Sequence, residues 1–154
     1  MMTFTIEPIG TVRGGRSDPV DDDWGQSLAA VDLDPGRFTT EALKGFEEFS
    51  HVEIVYVFDK VSDDKIESGA RHPRGRSDWP KIGIFAQRGK NRPNRLGVTM
   101  CRIISVEGLT LNVEGLDAID GTPVIDIKPV MSGFQPRGEY REPKWAREIM
   151  EAYW

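Results

Sequence analysis

Apolar and polar residues alternate in twos over several short stretches of this chain, and helical spacing shows clearly only near its end. Leu109, Leu111 and Val113 alternate with Thr110 and Asn112, the pattern of a half-buried strand. VTMCRIISV, at 98–106, precedes it across Glu107-Gly108, a hairpin signal. HVEIVYVFD, at 51–59, is nearly all β-formers and reads as a strand buried on both faces near the centre of a sheet. TFTIEPIGTV, at 3–12, is β-rich but interrupted by Pro8 and Gly10, which suits an edge strand or a bulge. SLAAVDLDP reads as a short strand stopped by Pro35, KIGIFA as another, and PVIDIKPV as a strand closed by Pro129 after an Asp120-Gly121 turn. TTEALKGFEEF predicts one or two helical turns, with Thr40 as N-cap and Gly45 as a stop. Pro143, followed by Trp145, Ile149 and Tyr153, predicts one amphipathic C-terminal helix with proline at its first position.

Many short strands and few helices predict a mainly β fold, a small barrel or sandwich with short helices and a C-terminal helix. No βαβ alternation is visible, and no GxGxxG follows a strand, which argues against a Rossmann nucleotide site. The length of 154 residues, without an internal repeat or linker, fits a single domain over 1–154. The polar stretch 60–81 is long for a loop in a compact domain and points to a functional or mobile segment.

Composition narrows the class. There is no apolar run near 18 residues and no basic head with an apolar core at the N-terminus, so neither a membrane-spanning helix nor a signal peptide is predicted. A single cysteine, Cys101, excludes an internal disulfide and a Cys-rich zinc site, and points to the cytoplasm. His51 and His72 are too few for a histidine metal site, and no metal is expected. His51-Val52-Glu53 has no P-C-x-x-C after it, which excludes a zinc deaminase, and there is no GxSxG or P-loop. His51 opens an apolar strand, where its default role is structural.

Charge is more telling. From Arg71 to Arg102 there are nine Lys/Arg against one acid, Asp78, in a chain whose net charge is −5. That asymmetry marks a local anion site in a protein that otherwise repels polyanions. Its densest part is RGKNRPNRLG at 88–97, with Arg88, Lys90, Arg92 and Arg95. Guanidinium groups offer forked donors to phosphate or carboxylate. Pro93 stiffens the loop, Asn94 can donate and accept, and Gly97 lets the backbone approach a ligand closely. A second cluster, EGLDAIDGTPVIDIKP at 114–129, holds Asp117, Asp120, Asp126 and Lys128. Asp126 and Lys128 share a strand face, and if that face is buried they need each other. Asp117 follows Gly115 at a strand end, where a carboxylate can accept from ribose hydroxyls or a ligand ammonium.

These clusters, with GFEEFSHVEIVYVF at 45–58, resemble the tRNA N6-methyltransferase family often called TrmO, TsaA-like or YaeB-like. The family pattern runs PIG, then F-S-H before a buried strand, then G-[VI]-F-A-x-R-x-x-x-R-P-N-x-[IL]-G, then L-D-x-x-D-G-T-P-V-x-D-I-K-P. The chain supplies Pro8-Ile9-Gly10, Phe49-Ser50-His51, Gly83 through Gly97 and Leu116 through Pro129. The resemblance implies a small β-barrel that dimerises and binds S-adenosylmethionine (SAM), and whose characterised members methylate N6 of a threonylcarbamoyl-modified adenosine beside the anticodon of tRNA. It implies SAM contacts at Asp23, Trp24, Gly25, Phe58, Asp59, Arg88, Val98, Gly115, Leu116 and Asp117. Trp24 or Phe58 would stack on adenine. Asp117 or Asp59 would hold ribose or the amino group, and Arg88 the carboxylate. Asn94 and Arg92 are the candidates for catalysis, with Asn94 orienting the nucleophile. Arg92, Arg95 and Lys90 are the candidates for gripping RNA.

The chain departs from the family pattern in places. It reads D-W-G where the tRNA enzymes often read Q-P-G, has Asp59 where many have histidine, and has R-P-N-R-L-G in place of R-P-N-P-I-G. It ends at Trp154, and is expected to be a short form without the further C-terminal domain of the longer enzymes. A SAM-dependent methyltransferase of a small metabolite, and a non-enzymatic SAM-binding regulator, remain as alternatives to a tRNA enzyme.

Overall fold

The computed structural model describes residues 1–154. Its centre is a closed barrel of six antiparallel strands. In chain order the strands are β1 (Gly10–Gly14), β2 (Leu28–Leu33), β3 (His51–Val57), β4 (Ala70–Arg71), β5 (Ile82–Gly83), β6 (Leu96–Glu107), β7 (Thr110–Glu114) and β8 (Pro123–Pro129). Around the barrel they run β1-β2-β7-β6-β3-β8, and β8 closes on β1; β4 and β5 form a separate two-stranded hairpin. One helix, α1 (Lys144–Ile149), follows the barrel. Closure leaves the barrel no free edge strand to aggregate.

The core is what the alternation predicts. Val12, Val31, Leu33, Val52, Ile54, Tyr56, Cys101, Leu111, Val113 and Val124 point inward as one cluster, and Leu43, Leu116 and Ala118 plug it from connections. The β6–β7 hairpin turns at Gly108, whose φ of 63° is left-handed. Gly10 is needed for packing: a Cβ there would lie 2.3 Å from the Asp32 carbonyl oxygen on the paired strand β2.

Several expectations need correction. β3 is not buried on both faces. Val52, Ile54 and Tyr56 are buried and the intervening residues are half-exposed, because a barrel wall has only one inner face. It is central only in being paired on both sides, with β6 and with β8. The first strand starts at Gly10, and residues 3–8 are exposed and outside it. KIGIFA contributes only Ile82–Gly83 as strand, and Ile84–Ala86 form a 3₁₀ turn. The turns after Thr39 are also 3₁₀; Thr39, not Thr40, precedes the first, with no side-chain cap. Gly45, at φ 93°, joins that turn to the next at Phe46–Glu48. Pro143 lies just before α1 rather than inside it, and α1 is only six residues long. The Asp126–Lys128 pair forms at 2.7 Å, but on the outer face of the barrel with both side chains about half exposed. The stretch 60–81 is pinned: Trp79 is buried, His72 Nδ1 meets its carbonyl at 2.8 Å, and Trp79 Nε1–H donates to Glu148 of α1 at 2.7 Å.

Candidate functional site at one end of the barrel

Antiparallel pairing decides which segments meet. Val57, at the end of β3, pairs with Leu96, at the start of β6. Leu28, at the start of β2, pairs with Glu114, at the end of β7. The connections 15–27, 58–69, 87–95 and 115–122 therefore emerge at the same end. Every residue nominated as a cofactor, substrate or catalytic contact lies in one of these connections or, as Val98, in the first residues of β6.

Asp117 is the focus. Tyr56, from the inner face of β3, donates its hydroxyl to Asp117 Oδ1 at 3.0 Å, and Thr99, from the inner face of β6, donates to the same oxygen. Tyr153, beyond α1, donates to Oδ2. No cation pairs with this carboxylate; hydroxyl dipoles hold it. Burial raises the Tyr56 phenol well above its ordinary range, and the charge of Asp117 adds to that. Tyr153 is raised by the same two causes. Both phenols therefore keep their protons and act as donors throughout the physiological range. Gly97 has a different role from the one expected of it. A Cβ there would lie 2.6 Å from Tyr56 Cε2 and Cζ and 2.9 Å from Phe58 Cζ. Its bare backbone makes room for the Tyr56 ring, not for a ligand, and so sets the reach of that hydroxyl to Asp117.

The Asp23-Trp24-Gly25 segment sits beside Asp117 and is covered by the chain's own last residues. Asp23 N–H donates to the Ala152 carbonyl at 2.9 Å, and Trp24 N–H to the Tyr153 carbonyl at 2.7 Å. A Cβ on Gly25 would lie 2.6 Å from the Trp154 backbone. Trp24 itself is buried, its Nε1–H donating to the Val20 carbonyl at 3.1 Å and its ring capped by the Arg16 guanidinium at 4.5 Å. Neither face of this indole is open for stacking in this arrangement. Phe58 is half-buried and meets Tyr56 edge-on at 5.3 Å. Asp59 pairs with its neighbour Lys60 at 3.7 Å. Leu116 and Gly115 are buried, so Leu116 offers a ligand only backbone, and Gly115 adopts a left-handed φ of 85°.

The basic loop is built from anchored arginines. Arg88 donates to the Val98 carbonyl at 2.6 Å and Arg92 to the Gln87 carbonyl at 2.6 Å. Arg95 donates to the Val61 carbonyl at 2.6 Å and pairs with Asp63 at 3.1 Å, so less of its charge is free than the sequence promises. Asn94 and Arg95 are both left-handed, with φ of 63° and 51°. Asparagine tolerates that geometry and arginine resists it; the Arg95 anchors hold it there. The turn leaves the Asn94 side chain exposed and without a hydrogen bond, and Lys90 exposed without an ion pair. Of the groups at this site, sequence reasoning missed Tyr56, Thr99 and Tyr153. The first two carried a signal: a hydroxyl at an inward strand position needs a partner. Tyr153 carried none.

A family profile described as the tRNA-methyltransferase O N-terminal domain matches residues 18–135. The chain belongs to this family. It is 41% identical over 93 residues to a tRNA (adenine(37)-N6)-methyltransferase of Mus musculus, a match covering 60% of this chain and 21% of that protein. It is 33% identical over 144 residues to a "probable S-adenosyl-L-methionine-binding protein" of Pyrococcus abyssi, covering 91% of this chain and 75% of that one. A crystal structure of TrmO from Pseudomonas aeruginosa superposes with a TM-score of 0.75 at 27% identity, over 94% of this chain and 62% of the crystallised one. The chain thus spans about a fifth of the mouse relative's length. The barrel is the family's fold.

Proposed function

We propose that this TrmO-family chain, as one domain, binds SAM at the Asp117 end of the barrel and methylates N6 of an adenosine in tRNA, beside the anticodon. The observation that carries the reading is the juxtaposition of the hydroxyl-held Asp117 with the anchored basic loop, at the end where the family's motif residues gather. The residues fit the cofactor. Asp117 Oδ2, once released by Tyr153, can accept from a hydroxyl or ammonium, Arg88 is suited to a carboxylate, and the Asp23 and Trp24 amides are backbone donors. Those amides and Oδ2 are engaged by Ala152 and Tyr153, so SAM takes them only as that segment yields.

When bound, SAM supplies an electrophilic methyl group on a sulfonium that loses its charge on transfer. The protein's task is therefore positioning, which by itself is worth about 7–11 kcal/mol of barrier when reacting atoms are held in line. Asp117 and Arg88 fix the donor end. Asn94, exposed on its left-handed turn, orients the N6 nucleophile, whose proton passes to solvent as the nitrogen is methylated, and Arg92 and Lys90 hold the nucleic acid. The support for tRNA is the name of the mouse relative together with the basic loop. The support for SAM is the name of the archaeal one. We further read the molecule as a cytoplasmic homodimer. The exposed Met100, Met131 and Phe134, which line one concavity, support self-association, and the cytoplasmic reading rests on tRNA as the substrate. Sedimentation of Phe134→Glu tests the dimer.

Calorimetry of SAM binding tests the function, with Asp117→Ala and Arg88→Ala alongside. Saturable binding lost in both variants, followed by methyl transfer to tRNA, is the expected result. No SAM binding at any concentration refutes it. Binding without transfer to any RNA favours the regulator or a small-metabolite enzyme.

A further inference from the structure

Arg71 is the one half-buried arginine in the molecule whose guanidinium donates no hydrogen bond and joins no ion pair. Its Nε is sealed from solvent without a partner, and it is the only buried side-chain nitrogen or oxygen of which that is true. Every other arginine is bonded to a carboxylate or a carbonyl, except Arg137 and Arg141, which are exposed to water. A buried N–H without an acceptor is costly, and here Nη1 and Nη2 are left unpaired and open to solvent, where a ligand can complete the group. The guanidinium also lies against the basic loop: its Nη2 would be 2.6 Å from a Cβ on residue 89, so a side chain there would displace it. Buried Gln87 ties the two arginine-bearing segments together. Its Nε2–H₂ donates to the Arg71 carbonyl at 3.1 Å and the Ile82 carbonyl at 2.7 Å, and its own carbonyl accepts from Arg92 Nη1 at 2.6 Å. Lys90, free of any ion pair, follows Gly89.

We propose that Arg71, on the β4–β5 hairpin, is an oxyanion anchor that binds a backbone phosphate of the RNA substrate, with Gly89, Lys90 and Arg92 forming the rest of the site. The oxyanion class follows from the unused forked donors. The phosphate source follows from the neighbouring free cations, and it rests on the RNA reading of the proposed function. The donor's carboxylate is the other source of the same chemistry, and the experiment separates the two.

The first measurement uses inorganic phosphate as probe, at constant ionic strength, and follows the thermal midpoint. Phosphate raises the midpoint of the wild type and not that of Arg71→Gln. An equal rise in both, or none in either, overturns the oxyanion site. The second measures tRNA affinity against salt, and SAM affinity, in the same proteins. Arg71→Gln weakens tRNA binding by about tenfold and lowers the salt slope by about one, with SAM affinity unchanged. Arg71→Lys recovers the slope but not the full affinity. A loss confined to SAM overturns the phosphate source and moves the anion to the donor. Unchanged affinity and slope for both ligands overturns the role altogether. A wild type that binds phosphate but no tRNA refutes the RNA source while leaving the oxyanion site standing. Gly89→Ala guards against a folding defect in Arg71→Gln: it keeps the charge, displaces the guanidinium, and gives the same loss of tRNA affinity.

Discussion

Removing one oxygen atom, in Tyr153→Phe, is expected to make the protein less stable and SAM binding tighter. The hydroxyl donates to Asp117 Oδ2, while the ring packs edge-on against Trp154 at 4.8 Å and the backbone carbonyl accepts from Trp24. Phenylalanine keeps the last two contacts and loses only the first. A hydrogen bond to a charged group contributes about 1.5–3 kcal/mol, and the half-exposed setting of Tyr153 takes this toward about 1–2 kcal/mol. Denaturant unfolding should show that loss as a lower midpoint with an unchanged slope. The same interaction holds the segment Ala152–Trp154 over the amides and carboxylate proposed to bind SAM. Weakening it raises the fraction of open sites, and about 1.4 kcal/mol corresponds to a tenfold gain in apparent affinity. Calorimetry should therefore find SAM bound roughly three- to tenfold tighter by Tyr153→Phe. Tyr56→Phe is the control of opposite sign. It removes a hydroxyl from the same carboxylate, but one that belongs to the barrel and stays when the segment leaves, so SAM binding should weaken. Weaker SAM binding by Tyr153→Phe would refute the competition and make Tyr153 part of the wall of the site.

Gly97→Ala should cost about 1–3 kcal/mol by overpacking, since the added methyl meets the rigid, buried Tyr56 ring at 2.6 Å; a denaturation midpoint equal to wild type would show that the ring yields. Asn94→Gly keeps the left-handed turn and removes the side chain, so it should abolish most single-turnover methylation at unchanged stability. Asn94→Ala should in addition lose about 1 kcal/mol through its unfavourable φ, and full activity in Asn94→Gly would reduce Asn94 to a backbone role. Asp32 is held below the ordinary carboxylate range, first by its hydrogen bond from Arg13 and also by Thr110 against the opposing effect of burial. A depressed folded-state pKa gives stability that is present above about pH 4 and lost as pH falls through the lower folded value. Unfolding free energy measured from pH 6 to pH 2 should accordingly fall less steeply for Asp32→Asn, and parallel curves would remove Asp32 from the acid limb.

The barrel was legible because its strands alternate: Val52, Ile54 and Tyr56, or Leu111 and Val113, announce an inner face by sequence alone. What misled was composition without periodicity. The outward residues of β3 are His51, Glu53, Val55 and Val57, and two valines on the outer face made a one-sided strand look doubly buried. The site was legible as segments but not as contacts. Asp117 and the Arg-Pro-Asn loop stood out by type and spacing, whereas the Tyr153 link spans 36 residues and depends on where a short helix leads the chain. Charge misled in a more specific way. Nine basic residues looked like one surface, yet Arg74 is paired with Asp22 at 2.8 Å, Arg102 with Glu114 at 3.1 Å and Arg95 with Asp63 at 3.1 Å. Only the fold shows that Arg71 is left over.

The D-W-G departure from the family's Q-P-G can now be read physically. Proline has no amide hydrogen, so a chain with proline at the position of Trp24 could not make the 2.7 Å bond to the Tyr153 carbonyl. Nor would the preceding residue sit easily as Asp23 does, at φ 65°, because a following proline pushes its neighbour toward extended backbone. The left-handed Asp23, the Trp24 amide and the covering segment therefore belong together. Trp24 adds to the arrangement by burying its ring under Arg16 and bonding Val20, which fixes the loop in the shape the segment docks on. On this argument the cover over Asp117 follows from two residues of this chain's own sequence rather than from the barrel. Trp24→Pro should release Ala152–Trp154 with the barrel intact. Hydrogen exchange at the Asp23 amide is the direct readout: it is protected by the Ala152 carbonyl in the wild type and should become fast in the variant. Continued protection would show that the segment docks without the Trp24 bond and that the D-W-G sequence has some other cause.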